Sequence, residues 1–343
     1  MTTAAATPAG AVLPGDAPAG RGRGVDTGFR WIWRRLFQGV AVVLLVSLIV
    51  FVATQVLPGS PAKSIYGKLA TPELVAAVNA QFGLDRPWPE QYLSWLGGVA
   101  TGDLGTSIAL KASISEILPG RLVNTLILVG LAFLIALPLS FLFATVTAKR
   151  RDRALDRTVL GTSLVVTALP DFVIGLLLVI LFGTTVWHVL PPVALFPPED
   201  SPLAHPLELV LPVATLVLVI VPYLYRLLRA SLIDTLESDY VHMARLKGMP
   251  ERLVMRRHAL PNALVPVIQA TGVLLGVVLA GTVVVEFIFR YPGLGSLLSN
   301  AVSNRDLQLI QAVVLIYAAG VVFFNLLADI ATVLVTPRLR TRR

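Results

Sequence analysis

Four stretches of this chain, residues 36–62, 122–148, 259–285 and 307–328, contain no Asp, Glu, Lys or Arg. A bilayer core about 30 Å thick takes roughly 20 helical residues to cross, so each stretch is long enough to span it. Two further spans have to be argued, because residues 158–182 are interrupted by Asp171 and residues 209–225 end early at Arg226 and Arg229. An Asp at a helix centre costs about 2.5–3.5 kcal/mol on insertion scales, and each Leu, Ile, Phe or Val returns about 0.3–0.6. The apolar residues around Asp171 outweigh it. Arg226 and Arg229 are expected to lay their aliphatic stems along the helix and reach the headgroups. The expectation is an all-α membrane protein with six transmembrane helices. Composition agrees, since 14% of residues are charged against about 25% in soluble domains. Too few charges remain to cover a soluble surface. With no cysteine, disulfide frameworks, thiolate metal sites and cysteine nucleophiles are excluded.

The connecting segments fix an expected orientation through their Lys and Arg. Of the 28 basic residues, 21 fall before the first span, between the second and third, between the fourth and fifth, and after the sixth. The other 7 are Lys63, Lys68, Arg86, Lys111, Arg121, Arg290 and Arg305. Both termini are therefore expected in the cytoplasm. The net charge of +8 follows from topology and is no nucleic-acid footprint, so no nucleic-acid partner is expected. The bilayer is.

Residues 1–30 are Ala, Gly and Pro rich and read as a disordered cytoplasmic tail. No apolar run precedes Leu36, so the first span, 31–57, reads as a retained helix and not a cleaved signal. The segment 58–118 is expected outside, with short interfacial helices. Thr71-Pro72-Glu73 supplies an N-cap and a first-turn proline, and Gly83 a stop. Trp88, Tyr92 and Trp95 suit a helix lying at the membrane interface. These helices read either as a lid over the bundle or as a docking surface for an external partner. The remaining residues, 119–343, form the core, with an internal loop over 230–261.

Within that loop, residues 238–248 predict a short amphipathic helix stopped by Gly248. Met249-Pro250-Glu251 restarts a second helix, and Leu260-Pro261-Asn262 opens the fifth span. Ala244 and Gly248 are small and four apart, which lets another protein's backbone approach one face. Arg245 and Lys247 are expected on the wet side. On the residues alone, a membrane-facing surface helix is the favoured reading over a docking face.

Ala244-Arg-Leu-Lys-Gly248, followed after nine residues by His258-Ala-Leu-Pro261-Asn262, resembles the cytoplasmic signature loop of binding-protein-dependent ABC importer permeases. The family pattern begins Glu-Ala-Ala where His242-Met243-Ala244 stands here. Phe82-Gly-Leu-Asp-Arg-Pro87, Tyr92-Leu-Ser-Trp-Leu-Gly-Gly98 and Gly102-Asp-Leu-Gly-Thr-Ser107 are similar to the first external region of dipeptide and oligopeptide permeases. Arg121-Leu-Val-Asn-Thr125, Tyr291-Pro-Gly-Leu-Gly295, Asn304-Arg-Asp306 and Pro337-Arg-Leu-Arg340 resemble the borders of their core. The resemblance covers about 34–340.

It implies a type I ABC importer permease in a bacterial cytoplasmic membrane. The implied partners are a second homologous permease, two cytoplasmic ABC ATPases and an extracytoplasmic solute-binding protein. Tyr240, Ala244, Arg245, Lys247, Gly248, Pro261 and Asn262 would then carry coupling to the ATPases. ATP and Mg would sit on those subunits and no cofactor on this chain. No G-x-x-x-x-G-K-[ST] phosphate loop occurs, so the chain is expected to be a non-catalytic transport subunit. Peptides are the expected cargo, with nickel, haem or another small solute as the alternative.

Two rival functions remain on the residues alone. Gly161-Thr-Ser163-Leu164 has the look of a serine nucleophile motif. Yet His188, His205, His242 and His258 all lie outside the spans, so no base is in reach. Ser163 is expected to be a small packing residue. A proton- or ion-coupled carrier would use Asp171 or Asp329. Asp171 follows Pro170 and either caps freed amides or lines a pathway, and Asp329 is expected to be satisfied by an arginine or hydroxyl. Asn124, Asp171 and Glu286 are the residues expected to line the translocation path. Pro138, Gly175, Pro212, Pro222, Pro266 and Gly281 read as packing and kink sites. Gly272 and Gly276 form a G-x-x-x-G pair expected at the interface with the second permease.

Overall fold

The computed structural model describes residues 28–56, 67–197 and 200–335. The expected tail therefore lies almost wholly outside the described residues, as do the first part of the external segment and the Pro337-Arg-Leu-Arg340 motif. The elements are α1 (Gly28–Val56), α2 (Pro72–Gln81), α3 (Trp88–Thr101), a two-stranded antiparallel hairpin of β1 (Thr106–Ser107) and β2 (Ala112–Ser113), and α4 (Ile114–Lys149). They continue with α5 (Ala154–Ala168), α6 (Asp171–Leu178), α7 (Pro206–Leu236), α8 (Asp239–Leu246), α9 (Glu251–Val254), α10 (Leu260–Phe289), α11 (Leu294–Asn304) and α12 (Leu307–Val335).

Among the described residues, five helical segments are long and apolar enough to cross a membrane. The sixth differs from expectation. The run 158–182 is broken into α5 and α6, which meet at 103°. Pro170 lacks an N–H and drives the residue before it out of the helical region, and Leu169 is extended at φ −87° and ψ 133°.

In lipid the helices gain little from apolar burial and associate through close packing. Along α4, Ala132, Ala136, Ser140, Ala144 and Ala148 repeat every fourth residue, and all five are buried. Along α7, Leu216, Ile220, Leu224, Leu228 and Leu232 form a matching buried stripe. Small side chains on one helix thus receive branched ones from the other, and the Ser140 hydroxyl reaches the Val221 carbonyl at 3.4 Å. α10 packs against both α7 and α12, and α1 lies against α12. The opposite side of α4, with Val123, Leu126, Leu134, Ile135 and Leu142, stays exposed, as a lipid-facing surface should.

Gly272 and Gly276 settle differently from expectation. A side chain at Gly272 would collide with Ala328, and one at Gly276 would sit 3.3 Å from Val321. Both glycines let α12 of the same chain approach, so the G-x-x-x-G pair is consumed inside the fold and does not face a second permease.

Arg229 also departs from the snorkelling expectation. Its guanidinium grips Asp156 with two bonds of 2.6 and 2.7 Å, tying α5 to α7. Asp156 is buried, so a partner inside the bundle satisfies both charges better than a long reach to water. Arg226 turns back onto the Pro222 carbonyl at 3.2 Å. Ser163 is buried and donates to Leu160, as expected of a packing residue. The internal loop is shorter than 230–261, because α7 runs on to Leu236 and a π-helical turn, Met255–Ala259, joins α9 to α10 without a gap.

Candidate functional site

Two places collect the residues singled out by sequence, one at each end of the bundle. At the first, Ser238 precedes α8, and Gly248 follows it with φ +76°. In that left-handed turn the Gly248 and Met249 amides return to the carbonyls of Arg245 and Ala244, at 2.9 and 3.3 Å. Val241 and Ala244 face inward onto Val254, with Leu236 and Met249 at the rim. Ala244 is only 6% exposed, so it holds the loop together and does not open a face to a partner. Arg245 donates to Glu251 at 2.8 and 3.1 Å and to the Leu236 carbonyl at 3.2 Å. It braces α8 against α9 and α7, and the hydrogen bond to Glu251 raises its already high basicity. Asn262 donates to the His258 carbonyl at 2.7 Å, and Pro261 starts α10, so these two shape the π-helical turn.

What α8 presents outward is Tyr240, Met243 and Leu246, all exposed, with Lys247 and Gly248 beside them. Leu246 is 81% exposed, and a side chain added at Gly248 would meet no atom within 4 Å. The exposed side of α8 therefore combines these three apolar side chains with the polar Asp239 and His242. Tyr240, Lys247 and Gly248 are among the residues expected in this loop, and all three are exposed. Met243 and Leu246 are not among the expected residues, although they stand opposite Val241 and Ala244 in helical spacing, which is the signal that finds them.

At the other end, Asn124 and Glu286 come together but do not line an open path. The Glu286 carboxylate is fully buried. It accepts from the Thr125 hydroxyl at 2.7 Å, the Gly295 amide at 2.6 Å and the Ser296 amide at 3.3 Å. Thr125 in turn accepts from the Leu294 amide at 2.9 Å. Asn124 donates to the Pro292 carbonyl at 2.9 Å, and the Tyr291 hydroxyl donates to the Asn124 carbonyl at 2.6 Å. These bonds latch the first turn of α11, whose amides have no helical partners of their own, onto α4 and α10. A side chain at Gly293 would collide with Glu286 and one at Gly295 with the Val283 backbone, which explains the glycines of Tyr291-Pro-Gly-Leu-Gly295.

Asp171 lies apart from both, half-buried at the start of α6, 3.5 Å from where a side chain on Gly281 of α10 would begin. The residue before α6 is Pro170, which makes no side-chain cap.

A second cluster joins two motifs far apart in sequence. Asp306, fully buried, accepts from the Ser107 hydroxyl at 2.5 Å and the Ala109 amide at 3.1 Å. Gln308 accepts from the Thr106 amide at 3.1 Å, and Gln311 donates to Thr54 at 2.9 Å. The hairpin is thereby seated on the start of α12. Asp329 meets Arg35 at 3.3 Å, with the arginine side chain about half exposed. Such a pair contributes about 0–1 kcal/mol. Asp329→Asn is therefore expected to leave both thermal stability and transport nearly unchanged. Lost transport at unchanged stability would return Asp329 to the path.

Among the described residues the chain is thus a bundle of helices long and apolar enough to cross a membrane, with a short exposed helix between α7 and α10. Two family models match, binding-protein-dependent transport system inner membrane component over residues 136–341 and its N-terminal region over 28–115. The chain belongs to this family, and its fold is that of the type I ABC importer permeases. It is 36% identical over 310 residues to a putative peptide transport system permease protein of Brucella abortus (strain 2308), covering 90% of this chain and 98% of that one. It is 35% identical to the oligopeptide transport system permease protein AppB of Bacillus subtilis (strain 168), with the same coverage. It is 34% identical to the glutathione transport system permease protein GsiC of Salmonella typhimurium, again covering 90% and 98%. A solved amino acid ABC transporter matches at a TM-score of 0.49 and 18% identity, over 62% of this chain and 91% of that one.

Proposed function

We propose that this chain is one permease subunit of an ATP-driven importer of short peptides in a bacterial cytoplasmic membrane, with both termini in the cytoplasm. The observation that carries the reading is the near end-to-end match to permeases named for peptide, oligopeptide and glutathione transport. A second homologous permease completes the path, two ABC ATPases engage the outward stripe of α8, and an extracytoplasmic binding protein delivers the peptide. ATP and Mg belong to the ATPases, and this chain performs no chemistry. The α8 stripe supports the coupling role, because an apolar face held rigid by Arg245 and Gly248 suits transmission of a push better than a frayed loop.

The decisive test is uptake of a labelled tripeptide by cells with and without this chain. Uptake is expected to require the chain, to stop when ATP is depleted, and to persist when the proton gradient is collapsed with ATP maintained. Asp171→Asn should behave like the parent. The converse pattern, sensitivity to the gradient and loss in the Asn variant, would establish a proton-coupled carrier instead. Orientation is checked separately: a tag inserted between α2 and α3 should be labelled from outside intact cells, and protection there would invert the topology.

A further inference from the structure

A groove of about 310 Å³ runs between α4, α5 and α7, at the lower end of the roughly 300–1,000 Å³ of small-ligand sites. Its walls are graded along the helices. At one end stand Leu139 of α4, Val166 of α5, and Val217 and Leu218 of α7. Toward the other end come Phe143, Thr158 and Tyr225. The charged ends of the three helices meet just beyond. Arg229 holds Asp156 there, and Arg151, which follows α4, pairs with Glu237, which follows α7. Arg150, two turns past Phe143 on the same face of α4, is exposed. Arg226 stands one turn past Pro222, and its Nε donates to the Pro222 carbonyl at 3.2 Å. The two terminal nitrogens of its fork are left for another acceptor.

Whatever fills this groove has to suit both ends. Phe143 and Leu218 lie in membrane-crossing helices and are 38% and 37% exposed, so the chain itself leaves the groove uncovered. The hydroxyls of Thr158 and Ser163 are spent on their own helix, on the Leu155 and Leu160 carbonyls. The Tyr225 hydroxyl is buried without a hydrogen-bond partner, at the level where apolar wall gives way to arginine. A transmembrane helix of another subunit is apolar along such a length and would leave the arginines uncompensated. Apolar wall, then an unpaired hydroxyl, then guanidinium groups follows the order of hydrocarbon, ester and phosphate in a glycerophospholipid. Basic pockets between transmembrane helices hold lipid headgroups in this way.

We propose that the groove is a site for one anionic glycerophospholipid, with an acyl chain between α5 and α7 and the phosphate held by Arg150 and Arg226. The bound lipid then braces α5 along its length, where the Asp156–Arg229 pair fastens one end. This goes beyond the import reading and is independent of what is imported.

The test uses the assembled transporter, purified in a neutral detergent and mixed with phosphatidylglycerol or phosphatidylcholine, each carrying the same diazirine-bearing acyl chain. After illumination, mass spectrometry locates the adducts. Phosphatidylglycerol should label residues 158–166 and 217–225, which line the groove. Two arginines at the headgroup predict about a tenfold or greater excess over phosphatidylcholine. Thr162 lines the groove and is exposed, so Thr162→Trp should unfold at the parental temperature without added lipid, fill the groove and lose these adducts. The double variant Arg150→Gln, Arg226→Gln should keep the position of the adducts and lose the excess. Unlabelled phosphatidylglycerol should raise the unfolding temperature of the parent and not that of Thr162→Trp. Equal labelling by the two lipids, or equal labelling of parent and Thr162→Trp, overturns the proposal. So does a benzophenone amino acid at position 162 that traps another subunit in place of lipid, because a protein helix then fills the groove.

Discussion

Leu246→Asp is expected to abolish substrate-stimulated ATP hydrolysis and uptake in the assembled transporter while leaving the stability of this chain unchanged. Leu246 is 81% exposed, so within the chain the substitution is a surface change, worth no more than about 0.5 kcal/mol. In a docked complex the same side chain would enter the centre of an interface, where a charge without a partner must be desolvated. Truncations at such centres cost about 2 kcal/mol or more, roughly a thirtyfold loss of binding. Two neighbours separate docking from loop folding. Ala244→Leu overfills the small core against Val241 and Val254, which costs about 1–3 kcal/mol in folding before any partner is met. Gly248→Val meets no atom but must hold φ +76°, a strain of about 1–2 kcal/mol. Thermal unfolding of the complex should therefore respond to the second and third variants and not to Leu246→Asp. ATP hydrolysis with and without loaded binding protein completes the comparison. Normal stimulation in Leu246→Asp would make α8 a bystander helix.

Much of this architecture is legible in the sequence, because the physics that writes it is local. The absence of water in a bilayer forces long uncharged runs into helices, and the described residues of all four such runs are helical. Gly248 and the Thr71 cap are one-residue signals for one-turn features. The misreadings share a different cause. Gly272 and Gly276 announced a close approach, but spacing does not say which helix approaches, and α12 of the same chain takes the place assigned to a partner. Pro170 announced an interruption, but not the 103° bend that separates α5 from α6. Arg229 was assigned to the headgroups because Asp156, 73 residues away, could not be seen beside it. The sequence places Glu286 and Asn124 on the path. Pro292 for Asn124 and Thr125 for Glu286 lie more than 150 residues distant, and only the folded arrangement shows that these groups are sealed off.

That correction leads to the other large effect. Glu286→Ala is expected to destabilise the protein by about 4 kcal/mol or more, in the range reserved for broken buried networks. Three donors, the Thr125 hydroxyl and the Gly295 and Ser296 amides, would lose their acceptor in a space closed to water. Each orphaned buried group costs about 1–3 kcal/mol, and the vacated volume adds to the loss. Glu286→Gln should fall between parent and alanine. Its remaining oxygen can face the two amides, but its NH2 then meets the Thr125 hydroxyl, whose proton is left without an acceptor. Thr125→Val removes that proton, so the double variant should be less destabilised than the sum of the singles. Thermal unfolding of the purified chain and proteolysis between 290 and 305 would follow the loosening of α11. A path-lining carboxylate predicts the reverse for Glu286→Gln, unaltered stability with altered transport. If the Gln and Ala variants unfold with the parent and only uptake changes, the latch is refuted and Glu286 belongs to the path after all.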